Sequence, residues 1–473
     1  MHIGVEKNNM MNLKNLKEKK IHFIGIGGIG MSGLAELLVQ KGYDVSGSDL
    51  SKNDNTFRLE KEGVTIFTGH DPHTLSGKDI IVRSTDIKED NPELREARLL
   101  GVPILHRSEM LALLMQEHQG IAISGTHGKT TTTALTGWVF EKSGLDPTII
   151  NGGIMNAWKS NVKIGKGQWC IAEADESDRS FLKLPRKIAV VTNIDLEHMD
   201  HYGSFEKLYE AFEIFTTHLP ADGLAVLGID NPQVYALWKR IKEEQKCATF
   251  GVHPEADIRA ENIRVTSKGS RFDLIQKNRR LKMSLSLYGH HNVLNALSVA
   301  VVAFECGIKE EQMCKALTSF KGVQRRFTQV GEWGGITIID DYAHHPIEIK
   351  ATLKAAKDVT QGRIIAVIEP HRYSRLMDLF QDFASCSEGA EITIVLPVYA
   401  ARETPKEGIT HQKLVEAMKG EVHCCNTAEE LPFLIKSLGR KGDMVICLGA
   451  GSISSLARKL PMQLNKKALQ STA

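Results

Sequence analysis

The chain has 473 residues, and at roughly 150 residues per domain it is long enough for about three domains. Its 59 lysines and arginines nearly cancel 57 aspartates and glutamates, leaving a net charge of +2, so no basic excess points to nucleic acid. No run approaches the roughly 20 apolar residues needed to cross a bilayer, and membrane insertion is not expected.

Residues 1–19 are polar, carry no apolar stretch of the signal-peptide kind, and read as a disordered lead-in to a cytoplasmic protein. The run 21–24 is β-branched and aromatic and ends in glycines, which predicts a strand; a helix to about Lys41 and strands at 44–49, 64–67 and 79–82 follow. This alternation predicts a parallel sheet with helices on its faces. A polar break at 116–120 closes a first domain, 20–118. A second α/β block, 119–322, opens with a strand at 121–124 and has further strands near 168–172 and 188–192. A third, 323–473, has strands at 337–339, 363–368, 391–395 and 444–447. The expected fold is therefore α/β in three domains: a Rossmann-like N-terminal sheet, a central P-loop ATPase-type domain and a Rossmann-like C-terminal domain. The eight cysteines show no CxxC spacing and read as reduced thiols, several of them in the core.

Gly25-Ile26-Gly27-Gly28-Ile29-Gly30 fits G-x-G-x-x-G between a strand and a helix. Glycines Gly27, Gly28 and Gly30 let backbone amides approach a diphosphate at the helix N-terminus, and Asp49, ending the second strand, stands where an acid binds a ribose hydroxyl. On this segment alone a dinucleotide dehydrogenase or a plain tight turn would serve as well.

The second glycine loop is more specific. Gly125-Thr126-His127-Gly128-Lys129-Thr130-Thr131 is a phosphate loop, shorter between its glycines than the usual pattern. Backbone N–H groups can cradle ATP phosphates, Lys129 can reach the β- and γ-phosphates, and the Thr130 hydroxyl can bind Mg²⁺. Glu173, nearest its strand, is the expected carboxylate for the cation, with Glu176 and Asp178 read as a solvated charge run. His198 and His201 stand among acids, but their spacing does not suit a helical zinc site.

With these motifs in view, the chain resembles the Mur ligases of peptidoglycan synthesis from about Lys20 to Ala457. The resemblance rests on residues 25–33 (GIGGIGMSG), 125–133 (GTHGKTTTT), 173–182 (EADESDRSFL), 192–202 (TNIDLEHMDHY), 289–296 (GHHNVLNA), 325–327 (RRF), 340–346 (DDYAHHP) and 370–375 (PHRYSR). It implies a UDP-sugar domain, an ATP domain and an amino-acid domain, with the first glycine loop holding UDP diphosphate rather than NAD. It is strongest to members that join L-alanine to UDP-N-acetylmuramate through an acyl phosphate, with ATP and Mg²⁺ (two ions, Mn²⁺ able to substitute). A murein-tripeptide recycling ligase is the alternative within the family, and it is less like this chain over EADESD.

By the same resemblance Lys129, Glu173, His198, His344, Arg372 and Arg375 are catalytic, and Thr130, Glu173 and His198 hold metal. His291, Asn292 and Asn295 face adenine and ribose, Arg326 an ATP phosphate, and Tyr342, His344, Arg372 and Arg375 the amino acid. His70 and Ser84 join the UDP-sugar site. Asn292 could equally cap a helix. Asp86, Glu369 and Pro397 depart from the family pattern and put the sugar- and alanine-pocket shapes in question. No lysine stands out where other Mur ligases carry a carbamoylated one. A monomer or weak homodimer is expected. The rival readings are an NAD-dependent dehydrogenase, which leaves the second loop without a task, and a nucleotide-binding regulator, which has no need of Tyr342, His344, Arg372 and Arg375.

Overall fold

The computed structural model describes residues 16–197, 199–266 and 268–465. They form two compact units: residues up to 259 with 275–279 and 294–317, and residues 260–274, 280–293 and 318 onward. Among the described residues no helix is long and apolar enough to cross a membrane.

The first unit opens with a five-stranded parallel sheet in the order Thr65–Thr68, Asp44–Asp49, Lys20–Ile24, Ile80–Arg83, Ile104–His106. The order reverses beside Lys20–Ile24, and crevices at the carboxyl ends of strands flanking such a switch are where ligands bind. The glycine loop leaves this strand and enters the helix Ile29–Gln40, whose buried Leu34, Leu37 and Leu38 face the core. Glu36 on the same helix accepts from Ser160 Oγ at 3.1 Å and from Arg58 Nε at 3.0 Å, and Ile29 O accepts from Asn161 at 2.9 Å. The opening sheet and the hairpin that carries Ser160 and Asn161 are thereby tied within this unit.

The first unit also holds a second sheet, in the order Ser160–Lys163, Thr148–Met155, Trp169–Glu173, Gln119–Ser124, Ile188–Val191, Leu224–Gly228, Cys247–Gly251. Gln119–Ser124 lies between two later strands, Trp169–Glu173 and Ile188–Val191, parallel to both, so their ends converge on whatever follows Ser124. Beneath them Phe181 stacks on Phe215 with centroids 4.9 Å apart and meets Phe212 edge-on at 5.4 Å. All three are fully buried, each contributing roughly 1.5–3 kcal/mol of transfer free energy.

The second unit holds a six-stranded sheet, in the order Thr328–Trp333, Ile336–Asp341, Met444–Leu448, Ile364–Ile368, Ile392–Val395, Glu421–Cys424, antiparallel only at its first pair.

Several strand limits differ from expectation, for local reasons. Val64 donates its N–H to Leu59 O and closes the preceding helix, so the strand starts at Thr65. Asp79 braces the first strand through Lys20 N at 2.8 Å, and its own strand starts at Ile80. The lead-in was expected to run through residue 19. Residues 1–15 lie outside the described part, but Leu16 is buried in the core and Lys19 pairs with Asp79, so residues 16–19 are part of the fold rather than of a disordered lead-in.

Candidate active site

The phosphate loop takes its shape from its surroundings. Gly125 has φ +129°, and a Cβ there would stand 2.1 Å from Thr192 Oγ1, so a close approach and a left-handed backbone both require glycine. The loop hangs on the segment after Ile188–Val191. Thr126 N donates to Asn193 O at 3.1 Å and His127 N to Asn193 Oδ1 at 2.7 Å, while Thr192 Oγ1 donates to His127 O at 2.6 Å. Thr126 Oγ1 accepts from Asp195 N at 2.8 Å. Lys129 and Thr130 then open the helix Lys129–Lys142, whose first amides carry no acidic side chain in the first turn. Thr131 is buried in that turn.

Lys129 is held by three acceptors: Gly125 O at 2.7 Å, Thr126 O at 3.0 Å and Glu176 Oε1 at 2.9 Å. Burial disfavours its charge, but Glu176, Asp175 and Glu173 outweigh burial and raise its pKa, so it is a permanent cation. Thr130 Oγ1 donates to Glu173 Oε1 at 3.2 Å, and Glu173 Oε2 accepts from Gly152 N at 2.7 Å. A Cβ on Gly152 would lie 2.4 Å from that oxygen, so the carboxylate occupies the space a side chain would take. Thr130 and Glu173 together present hard oxygen donors of the kind Mg²⁺ selects. Asn295 lies against the loop too, its Oδ1 2.7 Å from where a Cβ on Gly128 would stand.

Two acids expected to be a solvated charge run are not one. Glu176 is 1% exposed and pairs with Lys129, and its carbonyl accepts from the Tyr202 hydroxyl at 2.6 Å. Asp178 accepts from Thr85 Oγ1 at 2.6 Å, and Thr85 also meets His106 Nε2 at 2.9 Å. Proximity in sequence to a strand end singled out Glu173 but said nothing of how the next turn buries its acids. Sequence reasoning also missed Asp175 and Arg107. Burial would raise Asp175, but Arg107, Lys129 and Ser177 bring it down to about 2. Arg107 Nη2 donates to Asp175 at 2.7 Å, and its Nη1 stands 3.2 Å from where a Cβ on Gly30 would be. One guanidinium thus touches both glycine-loop neighbourhoods.

At the first loop, Gly27 N donates to Asp49 Oδ2 at 2.9 Å, and Gly25 N and Ile26 N donate to Ser48 O at 2.8 and 3.0 Å. One Asp49 carboxylate oxygen therefore supports the loop itself. Gly28 is the N-cap residue of the following helix and has no side chain to cap it, which leaves its amides to a ligand or water. His70 follows Gly69, whose N–H is held by Asp49 O at 2.7 Å. Ser84 follows the strand Ile80–Arg83 and accepts through its carbonyl from Ile87 N at 3.2 Å.

In the second unit the ends of Ile336–Asp341, Ile364–Ile368 and Met444–Leu448 gather another cluster. The Tyr342 ring lies against the Arg325 guanidinium at 4.7 Å and the Arg326 guanidinium at 5.1 Å. Tyr342 meets His344 edge-on at 5.0 Å, His344 meets His371 at 5.6 Å, and His371 stacks on Tyr399 at 5.5 Å. His344 Nδ1 contacts Tyr342 O at 2.9 Å. Arg372 has φ +70°, a left-handed conformation unusual for arginine, and opens the helix Tyr373–Asp378. Arg375 buries Nη1 with no hydrogen-bond partner among the described residues. Burial foremost, then His344, Arg375 and Arg372, pushes His371 down to about 3. Asp341 accepts from Phe327 N at 2.7 Å and Ala343 N at 2.8 Å and pins the Arg325–Phe327 turn; burial lifts it to about 6. His371, Tyr399 and Arg325 were not singled out from sequence, although the PHRYSR and RRF segments contain two of them.

His291 and Asn292 also belong to this unit. Burial, with His290 and Arg326 nearby, lowers His291 to about 4. Asn292 Nδ2 donates to Tyr288 O at 2.8 Å, a local bond of the capping kind. Of the departures, Glu369 accepts from Ser452 Oγ at 2.5 Å and from Ile453 N at 3.3 Å, so its carboxylate supports the helix Ile453–Asn465. Pro397 precedes a segment held by its backbone, through Tyr399 N to Pro370 O at 2.8 Å and Arg372 N to Tyr399 O at 2.9 Å. Asp86 is exposed. His198 lies outside the described residues.

Three family models match in sequence along the chain: the Mur ligase family catalytic domain over residues 20–119, the Mur ligase middle domain over 123–303, and the Mur ligase glutamate ligase domain over 325–451. The chain is 46% identical over 445 residues to UDP-N-acetylmuramate–L-alanine ligase of Bradyrhizobium sp. (strain BTAi1), covering 92% of this chain and 95% of that one. It is 48% identical to the enzyme of the same name from Rhodospirillum rubrum, covering 92% of each. Among solved structures, UDP-N-acetylmuramate–alanine ligase from Thermotoga maritima superposes with a TM-score of 0.82 at 29% identity, covering 94% of this chain and 99% of that one. With its phosphate loop, its glycine-rich opening and all three domain models in order, the chain belongs to the Mur ligase family.

Proposed function

We propose that the chain joins L-alanine to the lactyl carboxylate of UDP-N-acetylmuramate at the expense of ATP. The products are UDP-N-acetylmuramoyl-L-alanine, ADP and phosphate, in the cytoplasmic phase of peptidoglycan synthesis. Residues 20–118 take the UDP-sugar, 119–322 take ATP and 323–473 take the amino acid. The lactyl carboxylate attacks the γ-phosphate to give an acyl phosphate; the alanine amine then adds to the acyl carbon, and phosphate leaves from the tetrahedral intermediate. Such chemistry is mostly positioning and charge neutralisation.

Lys129, its direction set by Glu176, neutralises charge on the transferred phosphoryl group. Gly27, Gly28, Gly30, Asp49, His70 and Ser84 hold the UDP-sugar, and His291, Asn292, Asn295 and Arg326 serve ATP. Arg372 and Arg375, with Tyr342 and His344, take the alanine carboxylate and the acyl phosphate, for which guanidinium is suited. Thr130 and Glu173 would hold Mg²⁺, which supplies charge neutralisation at the β- and γ-phosphates, and His198 would serve a second ion; Mn²⁺ would substitute.

The observation that carries this reading is Arg107 lying against Gly30 while pairing with Asp175, which itself helps keep Lys129 charged. One electrostatic cluster thereby serves a diphosphate loop and an ATP loop, an arrangement a dehydrogenase does not need. The test is phosphate release from ATP. We expect release only when UDP-N-acetylmuramate and L-alanine are both present. NAD reduction, or release with neither substrate, overturns the reading, and release with a murein tripeptide but not alanine moves it to a recycling ligase.

A further inference from the structure

Beneath the first glycine loop lies a buried polar cluster centred on Glu93. This residue sits in the first turn of the helix Pro92–Leu99, where the helix dipole favours a carboxylate, and its side chain is fully buried. Glu93 Oε2 accepts from Ser48 Oγ at 2.5 Å and lies 3.1 Å from His70 Nδ1; Glu93 Oε1 accepts from Thr74 Oγ1 at 2.8 Å and lies 3.6 Å from His22 Nε2. His22 is itself fully buried and turns its other nitrogen to Ser46 Oγ at 3.0 Å. Burial alone would raise the Glu93 carboxyl, but His22, Ser48 and Thr74 more than offset it and hold it below its ordinary value, so it is ionised and accepts only.

Counting protons settles the tautomer. Ser48, His70 and Glu93 make three mutual contacts, since Ser48 Oγ also lies 3.0 Å from His70 Nδ1. An ionised carboxylate brings no proton and a hydroxyl brings one, which Ser48 gives to Glu93 at 2.5 Å. The His70 contacts therefore need a proton on Nδ1. Serine and carboxylate share one ring nitrogen, so this is not the relay of a hydrolase, in which they sit on opposite nitrogens. Among the described residues His70 Nε2 has no hydrogen bond, and it is the atom left for a ligand.

The same residues support the glycine loop. Ser48 gives its carbonyl to Gly25 N and Ile26 N, and Asp49 holds both Gly27 N and Gly69 N. We propose that Glu93 is the positioning residue of the UDP-sugar site: by holding Nδ1 of His70 and the hydroxyl of Ser48, it fixes the direction of His70 Nε2 toward the UDP moiety and couples that ring to the glycine loop. This rests on reading residues 20–118 as the UDP-sugar domain.

The experiment combines spectra and kinetics. In ¹⁵N-histidine spectra of the native protein, His70 carries its proton on Nδ1, and its Nε2 resonance moves when UDP is added. In Glu93→Gln the KM for UDP-N-acetylmuramate rises about tenfold, the loss of one charge-assisted hydrogen bond, while the KM for ATP stays within about twofold. His70→Ala raises the same KM, and the double variant rises no further than His70→Ala alone, since Glu93 acts through His70. A bare Nδ1 in the native spectrum, an unchanged KM in Glu93→Gln, or additive effects in the double variant overturns the proposal. If Glu93→Gln does not fold, the native spectrum decides alone. If His70→Ala leaves the UDP-sugar KM unchanged, it is the assignment of this domain to the UDP-sugar that falls.

Discussion

Lys129 in the first compact unit and Arg375 in the second are both cations at the carboxyl ends of parallel strands, yet their surroundings are opposite. Lys129 is met by a buried carboxylate and two carbonyls, so its charge is fixed and its direction set before any ligand arrives. Arg375 buries Nη1 without a partner among the described residues, next to two histidines and another arginine. The first is a pre-organised charge, which needs no rearrangement when phosphoryl transfer begins. The second is an incomplete one, and an anion that completes it recovers the roughly 1–3 kcal/mol that an unsatisfied buried donor costs. In the function proposed above, Lys129 serves ATP and Arg375 the amino acid, and a charge fixed in advance and a charge left incomplete would suit those two tasks.

The sharpest way to break this contrast is Lys129→Ala. The ligation rate should fall on the order of 10³-fold while equilibrium binding of the UDP-sugar is retained. Equal loss of both would mean that Lys129 organises the whole unit rather than the transfer. Next comes Glu176→Ala, which strips a buried ion pair of one partner; urea unfolding should show about 3 kcal/mol of lost stability. An unchanged midpoint would show that Lys129 finds other acceptors and is not pre-organised by Glu176.

Arg375→Met should behave in the opposite sense. It removes an incomplete cation and leaves no partner stranded, so the Tm should hold or rise, while the KM for L-alanine climbs on the order of 10-fold. A clear drop in Tm would put Arg375 in the same class as Lys129.

The smallest expected effect is on pH dependence in the second unit, where two groups act in opposite directions. The unfolded chain takes up a proton at a histidine's ordinary 6.5, whereas His371 resists until about 3, so its contribution is present above 6.5 and is lost as pH falls. Asp341, raised to about 6, contributes stability that is fully present below 3.8 and lost as pH rises through 6. Urea midpoints at pH 7 and pH 5 should therefore move apart in the variants. His371→Phe should gain on the native protein at the lower pH, and Asp341→Asn should fall behind it. Parallel shifts in both would show that burial and the neighbouring cations do not hold His371 neutral at pH 5.

Much of the architecture was legible because strand–glycine–helix punctuation is local. The loops at 25–30 and 125–130 each follow a strand and enter a helix as their spacing implies. Glu173 could be read as well, because it ends a strand beside the loop. Glu176, Asp175 and Arg107 could not, since their partners lie 47 and 68 positions away in the chain. An acid's burial is decided by the fold around it, and composition reads EADESD as solvated charge. His371 with Tyr399 and the Glu93 cluster were hidden for the same reason: neighbours brought together by a sheet leave no spacing in the sequence.

Gly152 has a consequence for genetics. Any single-base change in a glycine codon that does not preserve glycine or stop translation installs a residue with a Cβ, and here that atom would meet the Glu173 carboxylate. The atoms it would meet are the end of a flexible side chain, so a substitution at position 152 should swing Glu173 aside and leave folding intact, and clones from a random mutagenesis screen should lose activity without becoming heat-sensitive.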